Sequence, residues 1–142
     1  MATAADTVTV NKQLAVRWLE LISAGAVDEL CAITPADSTM EGGPPDLPRG
    51  PAGIRAPLRH LRRDHQTWQV HDVIAEEDRV AVRATNRCLQ DSFLGVPAAG
   101  IEQVFTATFV FQILDGQVHR IWRNAADLQR LLQLGVRIQP PA

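Results

Sequence analysis

The residues best suited to chemistry gather near the C-terminus, where His119, Arg123, Asn124 and Asp127 follow one another closely. An imidazole titrates near neutral pH and can take or give a proton. A guanidinium offers a fixed fork of donors to a carboxylate, an enolate or a carbonyl oxygen. Asp127 is either an acid/base group or a helix N-terminal charge favoured by the macrodipole. Side chains alternate along a strand, so His119 and Arg123 share one face, and Trp122 and Asn124 take the other. Which face points inward stays open, because Val118 and Ile121 fall on different faces.

Glu41 precedes Gly42-Gly43 and ends a short strand with apolar flanks. It is either a partly desolvated carboxylate at a cavity mouth, suited to proton transfer, or a solvated loop charge. Asn86 shares a face with Val80, Val82 and Ala84, where it would bond a ligand carbonyl or satisfy a bulge. Phe105, Phe109 and Phe111, with Trp68, form an apolar face that serves as core or as the wall of a pocket. The candidate catalytic set is therefore Arg123, His119, Glu41 and Asp127. The candidate substrate contacts are Trp68, Asn86, Phe105, Phe109, Trp122 and Asn124. His65 and His71 lack an acid or cysteine partner at ligand spacing, so no metal site is expected. Nor does any flavin or metal motif point to a cofactor, and the absence of tyrosine removes phenol acids.

These residues need elements to position them. Asn11 is placed to cap a helix carrying Leu14, Trp18, Leu21 and Ile22, with Gly25 at its end. A second helix is expected over 27–33, a short strand over 38–41, and a Pro/Gly-rich loop over 42–51. A third helix is expected over 53–63, with Ile54, Leu58 and Leu61 inward and Arg55, Arg59, Arg62 and Arg63 mostly outward. From Trp68 the period changes to two, giving strands over 68–74, 80–90 and 101–114, with a loop at 91–100. Asp115-Gly116 makes a hairpin turn. A last strand then ends near Asn124, and a helix carries an apolar stripe of Leu128, Leu131, Leu132 and Leu134 up to Gly135. Helices followed by a run of antiparallel strands indicate an α+β class, with residues 1–142 forming a single domain.

Composition narrows the function classes. Of 142 residues, 46% are apolar and 21% charged, with a net charge of −2. That balance gives no footprint for nucleic acid or an anionic membrane. The arginines of the third helix read as a solvated face. No apolar run nears the ~18 residues of a membrane span, and the first residues show no export signal. Two cysteines without CxxC spacing suggest reduced thiols and a cytoplasmic setting.

Four segments together resemble the SnoaL-like polyketide cyclases, a branch of the NTF2-like superfamily. They are the helices within 11–37, residues 72–83, Phe93-Leu-Gly-Val-Pro-Ala-Ala-Gly100, and residues 115–135. The resemblance spans nearly the whole chain. It implies a cone in which a curved antiparallel sheet wraps around N-terminal helices and encloses a deep apolar pocket. It also implies cofactor-independent ring closure, by aldol or similar chemistry, on a hydrophobic polyketide-type intermediate. In the founding cyclases the acid/base is an aspartate at the end of the last strand, and that column here holds Arg123. Columns in which the family often has histidine hold Phe109, Leu89 and Glu41. Asp127 lies one residue from a second family aspartate. The resemblance thus implies the family's shape with an altered acid/base set. Two other functions fit the same resemblance, a component of an oxygenase pair and a non-catalytic small-molecule-binding module. A homodimer is expected, with Arg83, Thr85, Arg87, Thr106 and Thr108 on an exposed sheet face that could support it.

Overall fold

A computed structural model describes residues 2–59 and 61–142. The first helix, α1 (Ala4–Ala24), starts well before Asn11 because Thr3 and Asp6 form a capping box. The Asp6 N–H donates to Thr3 Oγ1, and the Thr3 N–H donates back to the Asp6 carboxylate, both at 3.1 Å. Asn11 is instead a buried residue inside the helix. The helix ends at Gly25, whose φ of 65° allows its N–H to reach the Ile22 carbonyl. Hydrogen bonds from the Thr3 hydroxyl and then the Thr3 backbone hold the Asp6 carboxyl below its ordinary value of 3.8. A depressed folded-state pKa stabilises the fold above the unfolded value and loses that effect as pH falls through the folded one. The protection of first-turn amides of α1, relative to their intrinsic exchange rates, is therefore expected to fall selectively below about pH 4. In Thr3→Ala that turn should exchange fast at neutral pH already.

The chain continues through α2 (Val27–Ala32), β1 (Thr39–Glu41) and α3 (Pro51–Leu58). Four long strands and a small hairpin follow: β2 (Leu61–Glu76), β3 (Arg79–Gln90), the pair β4 (Ser92–Phe93) and β5 (Val96–Pro97), then β6 (Gln103–Leu114) and β7 (Gln117–Ala125). Helix α4 (Asp127–Gln133) closes the order. The third helix is shorter than expected. Pro57 interrupts its last turn, and from Leu61 the backbone pairs with β3, so Leu61, Arg62 and Arg63 are strand residues. Their side chains, and that of His65, lie outside the described ones. Sequence propensity favoured a helix there; cross-strand pairing overrode it.

The main sheet has the order β1-β7-β6-β3-β2, with β1 parallel to β7 and the other neighbours antiparallel. It is curved and unclosed, with a register shift between Val70 and Asp72 in β2 and another in the β6–β7 pair. Such irregularities bend a sheet. Alternate residues of β3 and β6 face inward: Val80, Val82, Ala84, Asn86 and Cys88 on one, Gln103, Phe105, Ala107, Phe109 and Phe111 on the other. Trp18 of α1 packs on them, its ring centroid 5.5 Å from that of Phe111 and 6.0 Å from that of Phe109.

The second shift settles the facing of β7. Val118 pairs with Ile113 and Arg120 with Gln112, so His119 is the extra, bulged residue. Inserting one residue flips the alternation, which is why Val118 and Ile121 are both buried. Helix α4 also departs from its expected facing. Leu128 and Leu132 are 53% and 50% exposed, and the helix's one buried residue is Arg130. The Gln133 amide fixes this orientation by bonding the backbone of β6. It accepts from the Val104 N–H at 2.9 Å and donates to the Val104 carbonyl at 2.6 Å. Among the described residues, no helix is long and apolar enough to cross a membrane.

Candidate functional site

Beyond Phe111 the interior is not filled. A cavity of about 450 Å³ opens between α1, α3, the 43–47 segment and the inward faces of β2, β3 and β6. Its apolar walls are Trp18, Ile54, Trp68, Phe105 and Phe109. Trp68 stands edge-on to Phe105 and Phe109, with centroids at 5.7 and 5.1 Å. The sheet register grades the wall from apolar to polar. Val82 lies beside Phe109, then Asn86 beside Phe105, then Cys88 beside Gln103.

Arg123 and Asp127 meet on this wall. Arg123 pairs with Phe109 across the β6–β7 ladder and so points inward. Asp127 opens α4 four residues later, which brings its carboxylate back over the strand end. Nη2 of Arg123 donates to Oδ1 at 2.8 Å and Nη1 to Oδ2 at 2.9 Å, a bidentate pair. The side chains are 12% and 33% exposed. Nη1 also donates to the Gly42 carbonyl at 2.9 Å. Gly42 has a φ of +78°, and a Cβ there would stand 1.9 Å from the Arg123 carbonyl oxygen. Gly42→Ala must therefore push the 42–47 segment off β7. We expect a loss of about 2–4 kcal/mol in chemical denaturation, combining the cost of the left-handed conformation with that of a shifted backbone.

A second guanidinium was not anticipated from sequence. Arg130 is 5% exposed and lines the cavity. Its Nη2 donates to Gln90 Oε1 at 2.7 Å and Gln103 Oε1 at 2.8 Å, and its Nε reaches Gln103 at 3.3 Å. It lies 3.7 Å from the ring centroid of Phe93 and 4.4 Å from that of Phe105, a cation–π arrangement. Burial pulls its pKa below the ordinary guanidinium value. The thiol of Cys88, 3.8 Å from Nη2, is pushed up by burial, which outweighs the opposing pull of Arg130. Sequence did hold a signal: a lone arginine one helical turn after Asp127, among leucines. Gln103 likewise falls two residues before Phe105 on the inward face.

Other polar atoms on residues of the wall are incompletely paired. Among the described residues, Trp18 Nε1 and Trp68 Nε1 have no acceptor and Asn86 Oδ1 has no donor. An unpaired buried polar group costs about 1–3 kcal/mol.

Six of the ten candidate residues thus line one cavity: Arg123, Asp127, Trp68, Asn86, Phe105 and Phe109. Four lie elsewhere. His119 sits on the bulge, whose extra residue takes it off Arg123's face. Trp122 and Asn124 point to the outer side of β7, where Trp122 packs under the guanidinium groups of Arg79 and Arg120 at 4.8 and 5.1 Å. Glu41 is exposed and faces Arg120 across 3.8 Å. Strand β1 turns Met40 to the cavity instead. Among the described residues, no cluster of three or more His, Cys, Asp or Glu could hold a metal.

Residues 15–121 match the model of a family described as the SnoaL-like domain. No curated protein matches the sequence. Solved structures share the architecture. TsrD from Streptomyces laurentii is 25% identical with a TM-score of 0.76, covering 89% of this chain and 96% of its own. IdmH from Streptomyces antibioticus, a candidate polyketide cyclase, is 23% identical with a TM-score of 0.70, covering 89% and 99%. AclR from Streptomyces galilaeus, a candidate hydroxylase, is 21% identical with a TM-score of 0.73, covering 94% and 90%.

Proposed function

Because this chain belongs to the SnoaL-like family, we propose that it is a cofactor-independent tailoring enzyme that cyclises a largely apolar, oxygenated natural-product intermediate. The observation that carries this reading is the Arg123–Asp127 pair standing in the wall of an otherwise apolar cavity. Asp127 takes the acid/base role and Arg123 orients it, its fork leaving the outer lone pairs of the carboxylate to the ligand. Asp127 removes a proton from a carbon next to a carbonyl. The enolate carbon attacks a second carbonyl carbon of the same molecule, and the new alkoxide recovers the proton from Asp127. The product has the mass of the substrate. Trp18, Trp68 and Asn86 shape the wall against which the ligand packs. Much of the rate would come from holding a flexible chain in a reactive shape, which can contribute roughly 7–11 kcal/mol.

The test is incubation of purified protein with linear poly-β-carbonyl intermediates, followed by mass spectrometry. A cyclised product of unchanged mass supports the reading. A product one oxygen heavier, formed only with a reductase, would transfer the chain to the oxygenase-pair class; AclR is named as a candidate hydroxylase. Tight binding without turnover would make it a binding module.

A further inference from the structure

The cavity wall does not balance its charges. Arg123 and Asp127 neutralise each other, but among the described residues Arg130 has no carboxylate partner. Its acceptors are neutral amide oxygens and a thiol. A buried cation without an anion is costly, and neutral partners only soften that cost. Its geometry is fixed nonetheless. The guanidinium lies against two phenyl rings, and its Nε and Nη2 are held by Gln103 and Gln90. Among the described residues, Nη1 has no acceptor. One donor group of a rigid, charged fork is thus left unengaged on a residue that lines the cavity.

We propose that Arg130 is a carboxylate-binding site, and that the substrate is an apolar molecule carrying one carboxylate. The inference rests on the reading that the cavity holds the substrate, and it narrows the class to acids. Arg130 and Arg123 both stand within cation–π range of Phe105, whereas Trp18 packs on Phe109. The acid group is therefore held at the Asp127 end of the cavity, and the apolar body extends toward Trp18. Nη1 donates to the carboxylate, Arg130 gains the anion it lacks, and Gln90 and Gln103 keep the guanidinium in place. A charge-assisted bond also discriminates strongly against esters and amides.

The test uses 2-naphthoate and its neutral isostere 2-naphthamide as probes of the intact protein, by calorimetry at neutral pH. Wild type should bind naphthoate at least ~10-fold more tightly than naphthamide, as a charge-assisted bond predicts. Arg130→Met should reduce that preference to near unity. Gln103→Glu should do the same by placing a carboxylate on the guanidinium, and it keeps the arginine should Arg130→Met fail to fold. Equal affinities in wild type, no naphthoate binding, or a preference that survives Gln103→Glu would overturn the proposal. These readouts need no turnover. A wild type that prefers naphthoate but converts no intermediate keeps the anion site and loses the enzyme reading; the reverse pattern does the opposite.

Discussion

Asp127→Asn is expected to lower kcat by about a hundred- to ten-thousand-fold, the range for loss of a positioned acid/base. Asparagine has nearly the same shape and keeps a carbonyl oxygen for one Arg123 N–H, so the pair loses a charge and not its packing. Asp127 is a third exposed and solvent screens part of the pair, so the stability cost should stay near 1–2 kcal/mol. The two effects separate the catalytic role from a structural one. Removing the carboxylate also leaves Arg123 and Arg130 as two uncompensated cations in one wall. An acidic ligand should then bind as well as before or more tightly, and KM should not rise. A variant with kcat intact would end the assignment of Asp127. A rise in KM with kcat unchanged would recast it as a binding group.

Much of the fold was legible because its signals are local. Period-two alternation from Val80 to Ala84 and from Phe105 to Phe111 identifies two buried strand faces, and the structure places both inward. Gly25 and Asp115-Gly116 mark ends and turns through backbone conformations that few residues tolerate. The site was less legible because its decisive features are not local. A bulge at His119 depends on how β7 registers on β6, and no residue type announces it. Without the bulge, His119 and Arg123 share a face; with it, Arg123 keeps the cavity and His119 leaves. The facing of α4 was hidden for a similar reason. Its leucines suggest an apolar inner stripe, yet the Gln133 clamp on β6 rotates Leu128 and Leu132 outward and brings Arg130 under the helix. A polar side chain bonded to a strand edge outweighed the burial of two leucines, an order that composition and periodicity do not encode. Arg130, which the leucine pattern does not single out, is the buried charge of the site.

Phe111→Ala should be the most destabilising single change, costing about 3–5 kcal/mol. Phe111 has no exposed surface, and it sits between Val80 of β3 and Ile121 of β7 in the cross-strand register. Trp18 meets its ring edge-on, and Phe109 stacks beside it at 5.8 Å. Truncation leaves a void ringed by strands that hydrogen-bond on both sides and by α1, so the surroundings have little freedom to collapse. Against a total stability of roughly 5–15 kcal/mol, thermal denaturation should show Tm falling by about 10 °C or more. Phe105→Ala provides the contrast on the same strand. Its ring borders space that is already empty and supports the guanidinium groups of Arg123 and Arg130. Its loss should cost less stability and more ligand affinity, read as a smaller Tm shift with weaker naphthoate binding. Equal Tm losses from the two variants would mean that Phe105 belongs to the packed core and that the cavity closes over it in solution. Unequal ones locate the boundary between filled and unfilled core along β6, between Phe111 and Phe105. On that boundary the strand that holds the fold together becomes the wall that holds the ligand.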